Sequence, residues 1–286
     1  MPDFFLTLER QVALEVDSPE IRDYVRTTYA RTRIPQPVAG LPLDCAAIRE
    51  RDGQTEFEFN GLPVDVEQAG ATSAFRRGFY GSNRLFRESF RRNDAWLSFH
   101  GAALALADGA LVVVAESGVG KTTLALALLD RGARLLSDEF VFVRKSDRMV
   151  WGYPRTFMIR EPALAHIANR RIRERCRASD AQLSTGGFNI WHAIDPVDVY
   201  GPQIYAQATP LAGIVLLERA GPEGPTGCVR IAPAVASLEL ARRFNSNAEG
   251  FGRLTDLAAT FAGVRAHRVS LGDVAAAADM LIEAFS

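Results

Sequence analysis

Apolar positions after about residue 95 fall into short continuous runs set off by turn residues, whereas those before it alternate with polar ones or recur at helical spacing. Residues 99–106 and 110–114 read as two strands joined across the turn Asp108-Gly109. A helix is expected from Lys121 to about Arg131, stopped by Gly132 at the position after its C-cap. Residues 133–139 form a strand ending in two carboxylates, residues 140–143 continue extended, and residues 149–153 pair back across Lys145-Ser146-Asp147-Arg148. Farther on, strands at 211–217, 229–232 and 265–269 alternate with helices at 234–244 and 273–285. The stretch 178–210, rich in Gly, Pro and isolated aromatics, predicts irregular surface structure.

The first part of the chain reads differently. Ser18-Pro19-Glu20 is a helix start, a capping hydroxyl followed by proline, for a helix through Tyr24, Val25 and Tyr29. Asp52-Gly53 and Asn60-Gly61 are hairpin dipeptides that bracket the alternating run Thr55-Glu56-Phe57-Glu58-Phe59. Residues 74–92 mix four phenylalanines with six arginines. An amphipathic helix with a solvated Arg face is the expectation, and a basic dock for an acidic or phosphorylated partner the alternative. The expected division is a smaller N-terminal α+β domain over residues 1–95 and a larger α/β domain over 96–286.

Candidate chemistry concentrates where the run Leu111-Val112-Val113-Val114 meets Ala115-Glu116-Ser117-Gly118-Val119-Gly120-Lys121-Thr122-Thr123. A strand, a glycine-bearing turn, a lysine and two hydroxyls opening an apolar helix make a cradle for nucleotide phosphates. Backbone N–H groups from Gly118 to Lys121 would converge on phosphate at the positive end of a helix, with Glu116, Ser117 and Thr123 completing the loop. Lys121 would neutralise the outer phosphates, and the Thr122 hydroxyl would hold Mg²⁺. Ala115 stands where G-x-x-x-x-G-K-[ST] has its first glycine. That is harmless at negative φ and costs roughly 1 kcal/mol or more at positive φ.

Asp138 and Glu139 are expected beside the nucleotide, at the edge where α/β sheets gather their ligands. One can hold Mg²⁺ while the other accepts a proton from an attacking hydroxyl, or both can serve the metal and a water, as in an ATPase. His100 can orient such a carboxylate. Arg155, just after the expected hairpin, could stabilise charge on a transferred phosphoryl group. The arginines at 170, 171, 173, 175 and 177 read as a solvated helix face, and His166, His192 and His267 have no visible partners.

Composition narrows the surroundings. With 33 Lys and Arg against 34 Asp and Glu, the balance gives no reason to expect nucleic acid as a partner. Cys45, Cys176 and Cys228 are far apart and show no metal-ligand spacing, which suits a reducing cytoplasm. Glu9 and Arg10 follow the N-terminal apolar residues at once, so neither a signal peptide nor a membrane span is expected there.

Taken in order, His100-Gly101, Glu116 to Thr122, and Arg131-Gly132-Ala133-Arg134-Leu135-Leu136-Ser137-Asp138-Glu139 make the chain resemble the C-terminal catalytic domain of HPr kinase/phosphorylase. The resemblance extends to the related kinases of peptide-modification systems, including lasso-peptide precursor serine kinases. It is close over residues 100–143, looser beyond, and absent from residues 4–92. It implies a P-loop kinase domain of the HPr kinase and phosphoenolpyruvate carboxykinase type, using ATP and Mg²⁺ to phosphorylate a serine hydroxyl on a peptide or protein. It also implies a homo-oligomer, although no interface is legible. By position, Asp138 would be the base, His100 its neighbour, Glu139 a magnesium-side carboxylate, and Lys121 with Thr122 the phosphate and metal contacts. Glu139, Thr122 and Ala115 stand where the family has Asp, Ser and Gly, and the family's downstream arginine-glycine signature is missing, which points to a kinase without the reverse reaction. Two other readings stay open: a kinase of a small hydroxylated molecule such as free serine, and a nucleotide-binding regulatory or ATPase module.

Overall fold

The computed structural model describes residues 1–66, 73–178, 182–184, 190–221, 224–243 and 250–285. Contacts divide the chain into two units, Met1–Asp94 with Pro154–Glu161 and Ala178–Asp195, and Ala95–Tyr153 with Pro162–Arg177 and Pro196–Ser286. The chain leaves the first unit close to the expected position at 95, then returns to it for two short segments that the sequence assigned to the second domain. Long-range pairing draws them back, and local periodicity does not carry that information.

In the first unit, β1 (Asp3–Leu6), β2 (Gln11–Val16), β3 (Arg33–Ile34), β4 (Leu43–Arg51), β5 (Gln54–Phe59) and β6 (Leu62–Pro63) form one sheet in the order β3-β1-β2-β4-β5-β6. Helix α1 (Pro19–Thr28) connects the parallel pair β2 and β4. It starts where expected, with the Ser18 hydroxyl accepting from the Ile21 amide at 3.4 Å. Asp52 and Asn60 both take positive φ, 50° each, ahead of their glycines, so the two hairpins turn in the form that matches strand twist. Helix α2 (Ala74–Arg91) buries Phe75, Phe86 and Phe90, and Phe86 meets Phe5 edge-on with ring centroids 5.4 Å apart. Ion pairs to Glu50 and Glu88 engage Arg77, Arg84 and Arg91 on the same helix. Strands β11 (Phe157–Arg160), β12 (Gln182–Ser184) and β13 (Ile190–Ile194) form a separate small sheet, and Trp191 packs its ring against Phe79, with centroids 5.8 Å apart.

The second unit is built on β7 (Trp96–Leu106), β8 (Gly109–Val114), β9 (Arg134–Arg144), β10 (Met149–Trp151), β14 (Thr209–Arg219), β15 (Gly227–Ile231) and β16 (Arg265–Leu271). Their order is β10-β9-β7-β8-β14-β16-β15, with β8, β14 and β16 mutually parallel and β7 antiparallel to both β8 and β9. A further antiparallel pairing of β10 with β14 closes five of these strands into a ring. On one side, Val112, Val114, Ile214 and Leu216 pack with Leu240 of α6 (Pro233–Arg243) and with Leu257 and Phe261 of α7 (Gly250–Phe261). Helices α3 (Lys121–Leu129) and α8 (Val274–Ala284) pack on each other and against strands of the same sheet. Because β8 is buried at every position, its sequence is a continuous apolar run with no alternation.

Several elements differ from expectation. Residues 133–139 and 140–143 belong to one strand, β9, so the carboxylate pair lies within a strand that runs on to Arg144. The stretch expected to be irregular contains β12, β13, the short helix α5 (Val197–Tyr200) and a 3₁₀ turn at Pro202–Ile204, while residues 179–181 and 185–189 of it lie outside the described residues. Helix α7 is absent from the sequence reading because Gly250 and Gly252 weaken helix propensity at its start. Phe244, the expected end of the preceding helix, is outside the described residues. The described residues contain no helix long and apolar enough to cross a membrane.

Candidate active site

The loop from Ala115 to Gly120 joins the end of β8 to the first residue of α3, as the sequence indicates. Gly118 and Gly120 take φ of 81° and 122°. At Gly120 a side chain would also be sterically opposed, since a Cβ would lie 2.7 Å from Leu271 Cδ2. Ala115 is not among the positive-φ residues, so its place in the motif does not require glycine. Glu116, Ser117 and Gly118 are exposed, Val119 and Gly120 half-buried, and Thr123 buried.

Lys121 is buried at 8% exposure and folds back along the loop. Its ammonium donates to the carbonyls of Ala115 at 2.9 Å and Glu116 at 3.1 Å. A desolvated ammonium held on two carbonyl dipoles at the start of a helix makes a positive locus, to which the positive end of the helix dipole adds. Such a locus suits an anion.

Thr122 donates its hydroxyl to the Asp138 carboxylate, 3.1 Å from Oδ2 and 3.3 Å from Oδ1. Lys121 and Asp138 therefore flank Thr122 at the root of the loop. Thr122 Oγ1 and the Asp138 carboxylate are hard oxygen donors at one point, a set that fits Mg²⁺. Among the described residues no group of three His, Cys, Asp or Glu side chains gathers to hold a metal ion, so the remaining ligands of such an ion would come from phosphate and water.

Glu139 has φ of 96°, a conformation uncommon for a residue with a side chain and costly to hold in a strand. The hydroxyl of Ser137, fully buried, donates to the carbonyls of Phe140 and Tyr153 and so pins the strand on either side of the irregularity. On the neighbouring strand β7, Gly101 stands opposite Glu139, and a Cβ at Gly101 would meet the Val113 carbonyl at 2.5 Å. His100 Nδ1 lies 3.2 Å from Glu139 Oε1, a close contact without the alignment of a hydrogen bond. The resemblance implied that His100 would be the neighbour of Asp138. The structure pairs it with Glu139, because Asp138 is turned to Thr122.

Arg155, the expected charge stabiliser, belongs to the first unit. It lies in the core there, 4% exposed, donating to Asn83 Oδ1 at 3.2 Å with its guanidinium 5.4 Å from the centre of the Tyr29 ring. His192, expected to lack a partner, is buried and bonds Glu161 through Nε2. His267 is buried against Phe285, and burial together with the charges of Arg230 and Arg265 holds its imidazole below the usual histidine range. Three arginines of α4 (Arg170–Ala178) take local partners: Arg170 pairs with Glu174, Arg173 caps the carbonyls of Ile167 and Ala168, and Arg175 pairs with Asp198.

One loop neighbour escapes the sequence reading. Arg219, the last residue of β14, donates from Nη2 to the Gly118 carbonyl at 3.0 Å. Its only sequence signal is a basic residue at the end of an apolar strand, which by itself says nothing of the loop.

No protein-family model matches the chain, and no curated protein matches it. Among solved structures, that of the HPr(Ser) kinase/phosphatase from Coxiella burnetii aligns with 66% of this chain and 95% of its own at 14% identity, with a TM-score of 0.32, a likeness too slight to bear on activity.

Proposed function

We propose that the second unit is an ATP- and Mg²⁺-dependent kinase that transfers the terminal phosphoryl group to a serine hydroxyl of a peptide or protein. The observation that carries this reading is the contact of Thr122 with Asp138 beside a buried Lys121, which joins a phosphate cradle to a metal-binding pair of oxygens. Loop amides and Lys121 bind and orient the triphosphate. Mg²⁺, held by Thr122 and Asp138, would neutralise charge on the outer phosphates. The acceptor oxygen bonds to the terminal phosphorus as the bridging P–O bond to ADP breaks, and the hydroxyl proton passes to a carboxylate of the protein. Since Asp138 is engaged with Thr122, the geometry favours Glu139, held against His100, for that proton, the reverse of the assignment implied by the resemblance.

The test incubates the protein with Mg²⁺ and ATP labelled in its terminal phosphate, in the presence of serine-containing peptides encoded beside its gene or of free serine. Label on a peptide serine supports the proposal. Label on free serine alone replaces it with a small-molecule kinase, and release of inorganic phosphate alone replaces it with an ATPase.

A further inference from the structure

We infer that Arg219 is the side chain that grips the terminal phosphate of the bound nucleotide, an assignment that rests on the kinase reading above. Strand β14 is the parallel neighbour of β8, with Leu216 opposite Val114, so its C-terminal end emerges beside the loop that β8 feeds. At the end of parallel strands, side chains meet ligands instead of the next layer of core. Arg219 is exposed there, and its guanidinium rests on the Gly118 carbonyl.

That contact uses one N–H of a fork with five donors. Among the described residues no carboxylate pairs with Arg219, and the adjacent Glu218 is engaged by Arg268 and Ser270. An arginine on the rim of a phosphate loop, held by one neutral carbonyl, keeps donors for a multiply charged anion and matches phosphate oxygens in pairs. It is exposed and rests on the Gly118 carbonyl while Lys121 is buried on the carbonyls of Ala115 and Glu116, so the two cations occupy different positions on the loop. Phosphoryl transfer concentrates its changing charge on the terminal group, where a guanidinium is most effective.

A guanidinium that only propped the Gly118 peptide would support every nucleotide that fills the loop, whereas one that grips the terminal phosphate discriminates ATP from ADP. The experiment measures affinity for ATP and ADP, each with Mg²⁺, for the wild type, Arg219→Ala and Arg219→Lys, after thermal unfolding has shown that the variants are folded. The expected result is a loss of about tenfold or more in ATP affinity with ADP within about threefold, and partial retention in Arg219→Lys. Equal weakening for both nucleotides, or no change for either, overturns the assignment. Failure of the wild type to bind either nucleotide overturns the kinase reading itself.

Discussion

The hydroxyl of Thr122 and the carboxylate of Asp138 are hydrogen-bonded across the root of the loop between β8 and α3, although they lie on different elements, α3 and β9. A metal ion bound there would be held by the Thr122 hydroxyl oxygen and the Asp138 carboxylate, the hydrogen bond between them giving way while the hydroxyl keeps its proton. Thr122→Val keeps the shape and removes the oxygen. It should weaken binding of ATP with Mg²⁺ by about tenfold or more while leaving metal-free ATP unchanged, as read by calorimetric titration with and without chelator.

Backbone geometry separates the two small residues of the loop motif. Gly120 has φ of 122° and faces Leu271, so Gly120→Ala should destabilise the second unit by about 1–2 kcal/mol and weaken nucleotide binding. Ala115 carries no such constraint, so Ala115→Gly should cost no more than about 1 kcal/mol, through added freedom of the unfolded chain, with binding unaffected. Urea unfolding of both variants checks the contrast.

Arg155 should contribute to the stability of the first unit. Its guanidinium is buried with Asn83 and Tyr29, so Arg155→Ala leaves polar groups and volume unsatisfied in the first unit. The expected loss is about 2–4 kcal/mol on thermal or urea unfolding.

The first unit should also be acid-sensitive at Asp44. Burial there opposes ionisation, but hydrogen bonds from Arg10, Asn60 and Ser89 outweigh it and hold the carboxyl below the usual range. A carboxyl depressed on folding contributes stability that is complete above its unfolded value, near about pH 4, and lost as pH falls through the folded one. Asp44→Asn should therefore cost about 2 kcal/mol or more at neutral pH and remove this part of the acid dependence, measured as urea midpoints from pH 3 to 7.

Legibility in the sequence follows the range of the interaction. The capping hydroxyl of Ser18, the turns at Asp52-Gly53 and Asn60-Gly61, and the strand-loop-helix around Lys121 were all readable because their causes lie within a few residues. The return of β11 and β13 to the first unit was not, since those strands are defined by pairing with each other and by rings such as Phe79 and Trp191. Nor could sequence decide which carboxylate faces His100. That depends on a register shift between β7 and β9 at Ala103 and Leu104 and on the positive φ of Glu139. Arg219 meets Gly118 only because β14 lies beside β8, and 101 positions of chain separate the two residues.

Transfer of labelled phosphate by Asp138→Asn, measured beside wild type on the same serine acceptor, tests the central claim most directly. The account expects the rate to fall by about 100-fold or more, in a protein that unfolds at the wild-type temperature and keeps its affinity for metal-free ATP. Transfer at the wild-type rate by that variant would contradict it.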